Sequence, residues 1–271
     1  RVEVWKKILE ECTDHKLPSL QMPHESEALM NPNFFTMLKQ SNEAGIFDIW
    51  LHTNAQMLDE TNGRKLIENG LKKINISVDA IKEKTYDILR VGGSYKKLLK
   101  NVDTFLKLKK EYNASYLRVR ISFVEQKENF SEKKEFFDFW KSKDGVNTIT
   151  FQRCMDLSPF EKVDPDSKLS EVQLEEKYKD EKPFYCAAPW ETPCIQEDGK
   201  IAPCLKPVRN HTKDFYIGDI SKGDTISDAW QSKKMNYLRE IHSKGEWYKV
   251  NMCRTCVKVT RNSQHQEFKT D

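Results

Sequence analysis

The sequence predicts an α/β fold: a parallel sheet of βα units, six of which would make a partial (β/α)6 barrel, followed by a small cysteine-bearing domain. Three observations carry this reading. Short apolar runs alternate with helix-period segments from residue 1 to about 155, the pattern of βα units around a parallel sheet. A helix opens the chain with no strand before it, so a first strand is expected upstream of Arg1. Five of the seven cysteines crowd the last third, beyond a charged stretch that contains three prolines. The expected organisation is a barrel over 1–155, a linker over 156–183, a cysteine-bearing domain over 184–260 and a tail over 261–271.

The elements follow from periodicity and caps. Val2–Glu11 places Val4, Trp5, Ile8 and Leu9 on one helical face. Strands are expected at Leu17–Met22, Phe47–His52, Lys73–Val78, Leu117–Val124 and Thr148–Phe151, where apolar positions cluster or alternate. Helices lie between them at Asn33–Ala44, Arg64–Glu68, Glu83–Leu89, Ser94–Tyr112 and Glu132–Trp140. Asn31 or Asn33 starts the first of these and Gly45 ends it. The alternation suits either a barrel or a doubly wound sheet. One helix, Ile226–His242, stands out in the otherwise loop-rich last third.

Composition excludes several function classes. Of 271 residues, 38% are hydrophobic and 32% charged, which fits a globular protein with a charged surface. No apolar run approaches the ~18 residues of a membrane span, and the first ten residues do not form a signal peptide, so the cytoplasm is the expected compartment. Forty-five Lys and Arg against 42 Asp and Glu leave +3, with lysines scattered among glutamates, so no nucleic-acid footprint is visible. Seven cysteines in such a chain argue for thiolate ligands over a disulfide framework.

Cys186 is followed by twelve residues, Gly199, four residues and Cys204; after 48 more come Cys253 and Cys256 as C-x2-C. A C-x2-C turn presents two thiolates from a tight loop, and Cys194 to Cys204 reads as a hairpin with Asp198-Gly199 at its turn. Four thiolates suit zinc or an iron–sulfur cluster equally on spacing alone. The stretches Cys186-Ala-Ala-Pro-Trp190, Asp198-Gly-Lys-Ile-Ala-Pro-Cys204, Ile217-Gly-Asp-Ile220, Ile226-Ser-Asp-Ala-Trp230, Leu238-Arg239 and Met252-Cys-Arg-Thr-Cys256 resemble the auxiliary-cluster domain of radical S-adenosylmethionine (radical SAM) enzymes of the SPASM and Twitch type. With no cysteine beyond Cys256, the shorter Twitch form is the nearer match. The resemblance implies that Cys186, Cys204, Cys253 and Cys256 hold one [4Fe-4S] cluster. Cys12, Cys154 and Cys194 are then bystanders.

The first half is similar to the same family. Leu51-His-Thr-Asn54, Ile76-Ser-Val-Asp-Ala80 and Tyr86-Asp-Ile-Leu-Arg90-Val-Gly-Gly93 resemble strand ends and a loop of radical SAM barrels. Glu25-Ser-Glu27-Ala-Leu-Met-Asn-Pro32 occupies the place of the family's Gly-Gly-Glu-Pro turn and matches it at Glu27. The resemblance implies SAM as cofactor. Glu27 would accept from its ammonium, Ser77 would reach ribose or carboxylate, and Arg118 or Arg120 would hold the carboxylate in a bidentate pair. The two arginines share a face of their strand, read as inward because Leu117, Val119 and Ile121 fill the other. Asn54 and Asp79 are further cofactor-site candidates that could equally cap the helices after them. Arg90 reads equally as a helix-end charge paired with Asp87 or Glu83. His24 and His52 read as hydrogen-bonded core histidines, and no catalytic acid or base is assigned.

The family's C-x3-C-x2-C triplet is absent from these residues and is expected, with the first strand and a second [4Fe-4S] cluster, upstream. The implied activity is reductive cleavage of SAM to a 5′-deoxyadenosyl radical that abstracts hydrogen from a small polar, carbohydrate-like or nucleoside-like substrate. An electron donor such as flavodoxin or ferredoxin is the expected partner. The alternatives are a peptide-modifying radical SAM maturase and a non-catalytic zinc or iron–sulfur module on a degenerate barrel.

Overall fold

The computed structural model describes residues 2–22, 26–154, 164, 166–181, 183–205, 215–260 and 265–270. The chain divides into two compact units, one built on residues 12–154 with a strand at 265–269, the other on residues 2–11 with the described residues from 164 to 260.

The larger unit is a six-stranded sheet. Its first five strands are β1 (Ser19–Gln21), β2 (Asp48–Thr53), β3 (Lys73–Ser77), β4 (Arg118–Glu125) and β5 (Thr148–Arg153). They pair in parallel and in chain order. Between them run α2 (Phe34–Glu43), α3 (Glu60–Glu68), α4 (Glu83–Leu89), α5 (Tyr95–Glu111) and α6 (Lys133–Lys141). A strand order that never reverses, joined by right-handed crossovers, puts every crossover helix on one face; a doubly wound sheet reverses and covers both. The barrel-type winding is therefore the one formed. One sheet face is apolar, with Ile49, Leu51, Ile74, Ile76, Val119, Ile121, Phe123 and Ile149 almost wholly buried. Phe34, Leu38, Leu66, Val102, Phe105, Phe136 and Trp140 on the helices are buried as fully. Each such side chain contributes about 1.5–3 kcal/mol by leaving water.

The opposite face is polar. In register across it stand Trp50 and Lys73, His52 and Asn75, Asn75 and Arg120, and Ser77 and Ser122. Sequence alternation thus separates a packed face from a face able to meet ligands.

Gly70 ends α3 in the left-handed region, at φ +86°, and its N–H donates to the Ile67 carbonyl at 3.1 Å. A Cβ there would lie 2.4 Å from the Asn42 side chain. Gly70→Ala is expected to cost about 1–2 kcal/mol in strain at the left-handed position, read as a lower urea midpoint at unchanged m-value.

Residues 261–271, expected as a tail, contain β9 (His265–Lys269), antiparallel to β5, where Phe268 meets Phe151 with ring centroids 5.9 Å apart. Five residues with one alternating aromatic give too short a pattern to signal a strand in isolation.

The smaller unit begins with the first helix, α1 (Val2–Asp14), expected in the barrel but packed here through residues 2–11. Val4 joins Ile201, Ile220, Ile226 and Ala229 in one apolar cluster. The Glu11 carboxylate accepts from the backbone N–H groups of Ile226 and Ser227 at 2.8 and 3.1 Å, and Lys7 donates to the Ile220 carbonyl at 3.2 Å. An amphipathic stripe says that a helix is covered, not by what.

The stretch 156–183, expected as a linker, includes α7 (Glu171–Tyr178), started by a reciprocal Ser170–Gln173 capping box. Leu174 and Tyr178 pack with Trp247 and Val257, and Tyr178 stacks on Tyr248 at 5.5 Å. Buried Asp166 accepts from Tyr178 Oη and Lys177 Nζ. Short α8 (Ala188–Glu191) precedes the sheet of β6 (Cys194–Ile195), β7 (Lys200–Ala202) and β8 (Gly218–Asp219), antiparallel throughout. Gly199 makes the expected hairpin turn at φ +95°. The single helix expected over Ile226–His242 is two, α9 (Ile226–Trp230) and α10 (Lys233–Ser243), because Ser232 caps the second by accepting from the Met235 N–H at 3.2 Å. Last comes α11 (Asn251–Thr260). Among the described residues no helix is long and apolar enough to cross a membrane.

Candidate active site and cluster site

At the carboxyl ends of the parallel strands, where open α/β sheets bind ligands, the sheet unit gathers most of its candidates. Glu27 precedes a 3-10 turn, Ala28–Met30. Its carboxylate accepts from Thr53 Oγ1 and from the Asn54 N–H, both at 2.8 Å, locking the turn to the end of β2. The Asn54 side chain accepts from the Gln56 N–H at 2.9 Å, turning the chain after the strand rather than capping α3, whose cap is Asp59. Ser77 closes β3, half-buried beside Ser122. Glu25 and His24 lie outside the described residues.

Asp79 sits two residues past β3, only 2% exposed, with φ at +64°. It caps no helix. One carboxylate oxygen takes the Arg90 guanidinium and the other accepts from the Val124 N–H at 2.7 Å. Buried Asn129 donates to the Asp79 carbonyl and the Val124 carbonyl, both at 2.8 Å. Burial pushes the Asp79 carboxyl up; Arg90 and the Val124 N–H oppose it without cancelling it. Arg90 thus pairs with neither Asp87 nor Glu83 but reaches back to the strand end. Helix spacing pointed to i,i+3 and i,i+4 partners, and a partner eleven residues away carries no local signature.

Three supporting residues escape sequence reasoning. Glu132, buried on the far side of β4, accepts from the Ile81 and Lys82 N–H groups at 2.9 and 3.3 Å and so starts α4. Gln56 exchanges hydrogen bonds with Ser94 and donates to Tyr86 Oη at 3.0 Å. Asn101 donates to the Ala55 carbonyl at 2.7 Å. Each acts across 30 to 51 residues of chain. Only the adjacent Thr53-Asn54 pair at a strand end could have been read locally.

The arginines are placed differently. Arg118 and Arg120 do share a face with Ser77, as expected. Arg118, however, opens β4 level with Lys73, four residues before the Ser122 row, or about 13 Å at ~3.3 Å per residue. Arg120 faces Asn75 and has an ion pair with Glu267 of β9 at 3.7 Å. Arg118 therefore stands well short of the strand ends that hold Glu27 and Ser77, because side-chain period fixes the face and not the level, whereas Glu267, the partner of Arg120, stands opposite Thr150 in the Ser122 row. His52 Nδ1 lies 2.8 Å from Asn75 Nδ2, the hydrogen-bonded histidine anticipated.

In the other unit, Cys253 and Cys256 occupy successive turns of α11 rather than a tight loop. Three residues apart, they share one face of the helix. Cys253 packs against Met235, Leu238, Ile241 and Val250. Burial raises its thiol well above the ordinary range; Cys204, Cys256 and Cys186 raise it further, and Arg254 opposes them. The three thiols acting on Cys253 are the other members of the expected ligand set. Arg239 lies over the Trp230 ring at 4.6 Å and donates to the Pro189 and Trp230 carbonyls at 3.0 and 2.8 Å, tying the segment after Cys186 to α10. Arg254, between the two cysteines, is buried against Asp164 at 2.7 Å, which fixes the rotation of α11.

A set of four thiolates can serve a single zinc ion or an iron–sulfur cluster. Tetrahedral zinc at ~2.3 Å from each sulfur requires thiols about 3.8 Å apart. Among the described residues no three His, Cys, Asp or Glu side chains are arranged to share a single metal ion. Cys204, Cys256 and Cys186 each lie near enough to act on the Cys253 thiol.

Residues 186–257 match the family model of the SPASM iron–sulfur cluster-binding domain. This segment resembles a SPASM domain. A curated relative, the GTP 3',8-cyclase of Alkaliphilus metalliredigens (strain QYMF), is 35% identical over 83 residues, which make up 30% of this chain and 26% of that protein. The alignment thus spans about a quarter of the relative. Crystal structures of BtrN, one in an open conformation and one in complex with AdoMet and 2-DOIA, align over 94% and 93% of this chain and 78% of theirs, with TM-scores of 0.53 and 0.52 and identities of 13% and 15%. Streptococcus suis SuiB bound to S-adenosylmethionine aligns over 88% of this chain and 60% of its own, with a TM-score of 0.61 and 15% identity. The chain shares the fold of BtrN and SuiB, and the segment that matches the SPASM model lies between β5 and β9 in the sequence.

Proposed function

We propose that the protein is a radical SAM enzyme acting on a small polar molecule, carbohydrate-like or nucleoside-like, with one auxiliary [4Fe-4S] cluster on Cys186, Cys204, Cys253 and Cys256. The observation that carries the reading is the joint presence, on one chain, of a SPASM-like domain and a barrel-type sheet whose strand ends collect Glu27, Asn54, Ser77 and Asp79. Binding of AdoMet by BtrN and SuiB, which share the fold, supports SAM as the cofactor here.

The chemistry that SAM and a reduced cluster supply when bound is hydrogen abstraction from an unactivated C–H bond. The chain's residues supply placement. Glu27, held from both oxygens, is a fixed acceptor for an ammonium group, and Ser77 offers a hydroxyl on the same edge. Asn54 and Asp79 shape the two turns between which a ligand would lie. Arg120, paired with Glu267, is better suited to the polar substrate than to the SAM carboxylate. Cys186, Cys204, Cys253 and Cys256 would hold such a cluster by four protein thiolates, a ligand set that would suit electron transfer rather than substrate binding, with a flavodoxin or ferredoxin as donor to the system.

The test is anaerobic incubation of the full gene product with SAM, reductant and a fractionated metabolite extract, following 5′-deoxyadenosine by mass spectrometry. Stimulation by the small-metabolite fraction is expected. Stimulation by peptides alone would replace the substrate class, and a colourless protein holding one zinc would remove the enzymatic reading.

A further inference from the structure

His242 lies on α10, 2% exposed, and its Nε2 is 3.4 Å from Cys253 Sγ. Its other ring nitrogen, Nδ1, is buried without a hydrogen-bond partner. A buried histidine with one nitrogen against a sulfur and the other against nothing has restricted chemistry. A neutral imidazole carries one N–H. Were the proton on Nδ1, a buried N–H would be left unpaired and the Nε2 lone pair would face the sulfur. With the proton on Nε2, the donor meets Sγ and the orphan is only an acceptor. A metal-bound thiolate has no proton to offer, so only the second tautomer is compatible with a ligating Cys253.

We propose that His242 is a positioning residue that donates Nε2–H to the Cys253 thiolate and raises the reduction potential of the auxiliary cluster. The proposal rests on the ligand assignment above. Reduction adds negative charge to the cluster and its sulfurs, so a fixed donor at one sulfur stabilises the reduced state more than the oxidised one. His242 is held for this by packing: Met235, Leu238 and Ile241 of the same helix are buried alongside it, and Val250 joins them just before α11. Nothing in the SPASM spacing points to it, since it stands eleven residues before Cys253 on a different helix.

The test compares His242→Phe, which removes the donor, with His242→Gln, which keeps an N–H. Iron content and the midpoint potential from an EPR-monitored redox titration are read on each reconstituted full-length protein. His242→Phe is expected to disfavour reduction about tenfold, a shift of about −59 mV for one electron, with His242→Gln nearer wild type. Loss of iron in the Phe variant but not in the Gln variant would also support the donor role. Full iron with an unchanged potential in His242→Phe would overturn it, as would equal iron loss in both variants. Cys253→Ala, measured alongside, separates the two readings: full iron there overturns the ligand assignment, independently of either histidine variant.

Discussion

Replacing Cys186, Cys204, Cys253 or Cys256 by alanine is expected to lower the iron content of the anaerobically reconstituted protein by about four atoms per chain, one [4Fe-4S] cluster, while Cys194→Ala leaves it unchanged. The four are distinguished by position. Cys204 follows the β7 strand, Cys253 and Cys256 share one face of α11, and Cys204, Cys256 and Cys186 are the thiols that act on Cys253. Cys194, in β6, pairs across the hairpin with Ala202. The raised Cys253 thiol makes the expectation sharper. An enclosed thiol resists ionisation, so a thiolate there needs the positive charge of metal to form, and its contribution appears only when metal is bound. Chelation should therefore destabilise the wild type far more than Cys253→Ala, seen as a thermal shift present in one and absent in the other. Equal iron loss in Cys194→Ala would show that the ligand set is wrong.

The strands of the sheet unit were legible because alternation and β-branched runs report burial directly, and the C-x2-C with its upstream cysteines was legible because ligand spacing survives in one dimension. Partners across long sequence separations were not. Arg90 gave its charge but not its partner Asp79, and the Arg118–Arg120 pair gave its face but not its height on the sheet. Glu11 carries no local mark of its role, which is to cap α9 more than 200 residues away. The same limit explains the misread boundaries. Segments 171–178 and 265–269 have little apolar signal of their own and become structured through Trp247 in one case and β5 in the other.

Asp79→Ala is expected to destabilise the sheet unit by about 3 kcal/mol, the lower end of the ~3–5 kcal/mol for removing one partner of a buried pair, since the Arg90 side chain remains about a third exposed and can turn to water. The loss has two parts: the guanidinium forfeits its counter-charge, and the Val124 N–H forfeits its acceptor within the strand end. Asp79→Asn keeps an acceptor for Val124 and should cost less, so the difference between the two variants measures the hydrogen bond. Arg90→Gln acts in the opposite sense on the carboxyl. It removes the opposing charge and leaves the Val124 N–H alone against the rise that burial gives the Asp79 pKa. A carboxyl whose folded pKa exceeds its unfolded value of about 3.9 gives stability that is present at low pH and lost as pH rises through the folded value. Arg90→Gln should therefore fall further below wild type at about pH 8 than at about pH 5, measured by urea unfolding at each. A pH-independent deficit would show that the Asp79 carboxyl keeps its charge without Arg90, and would sink the claim that the pair is what holds that strand end.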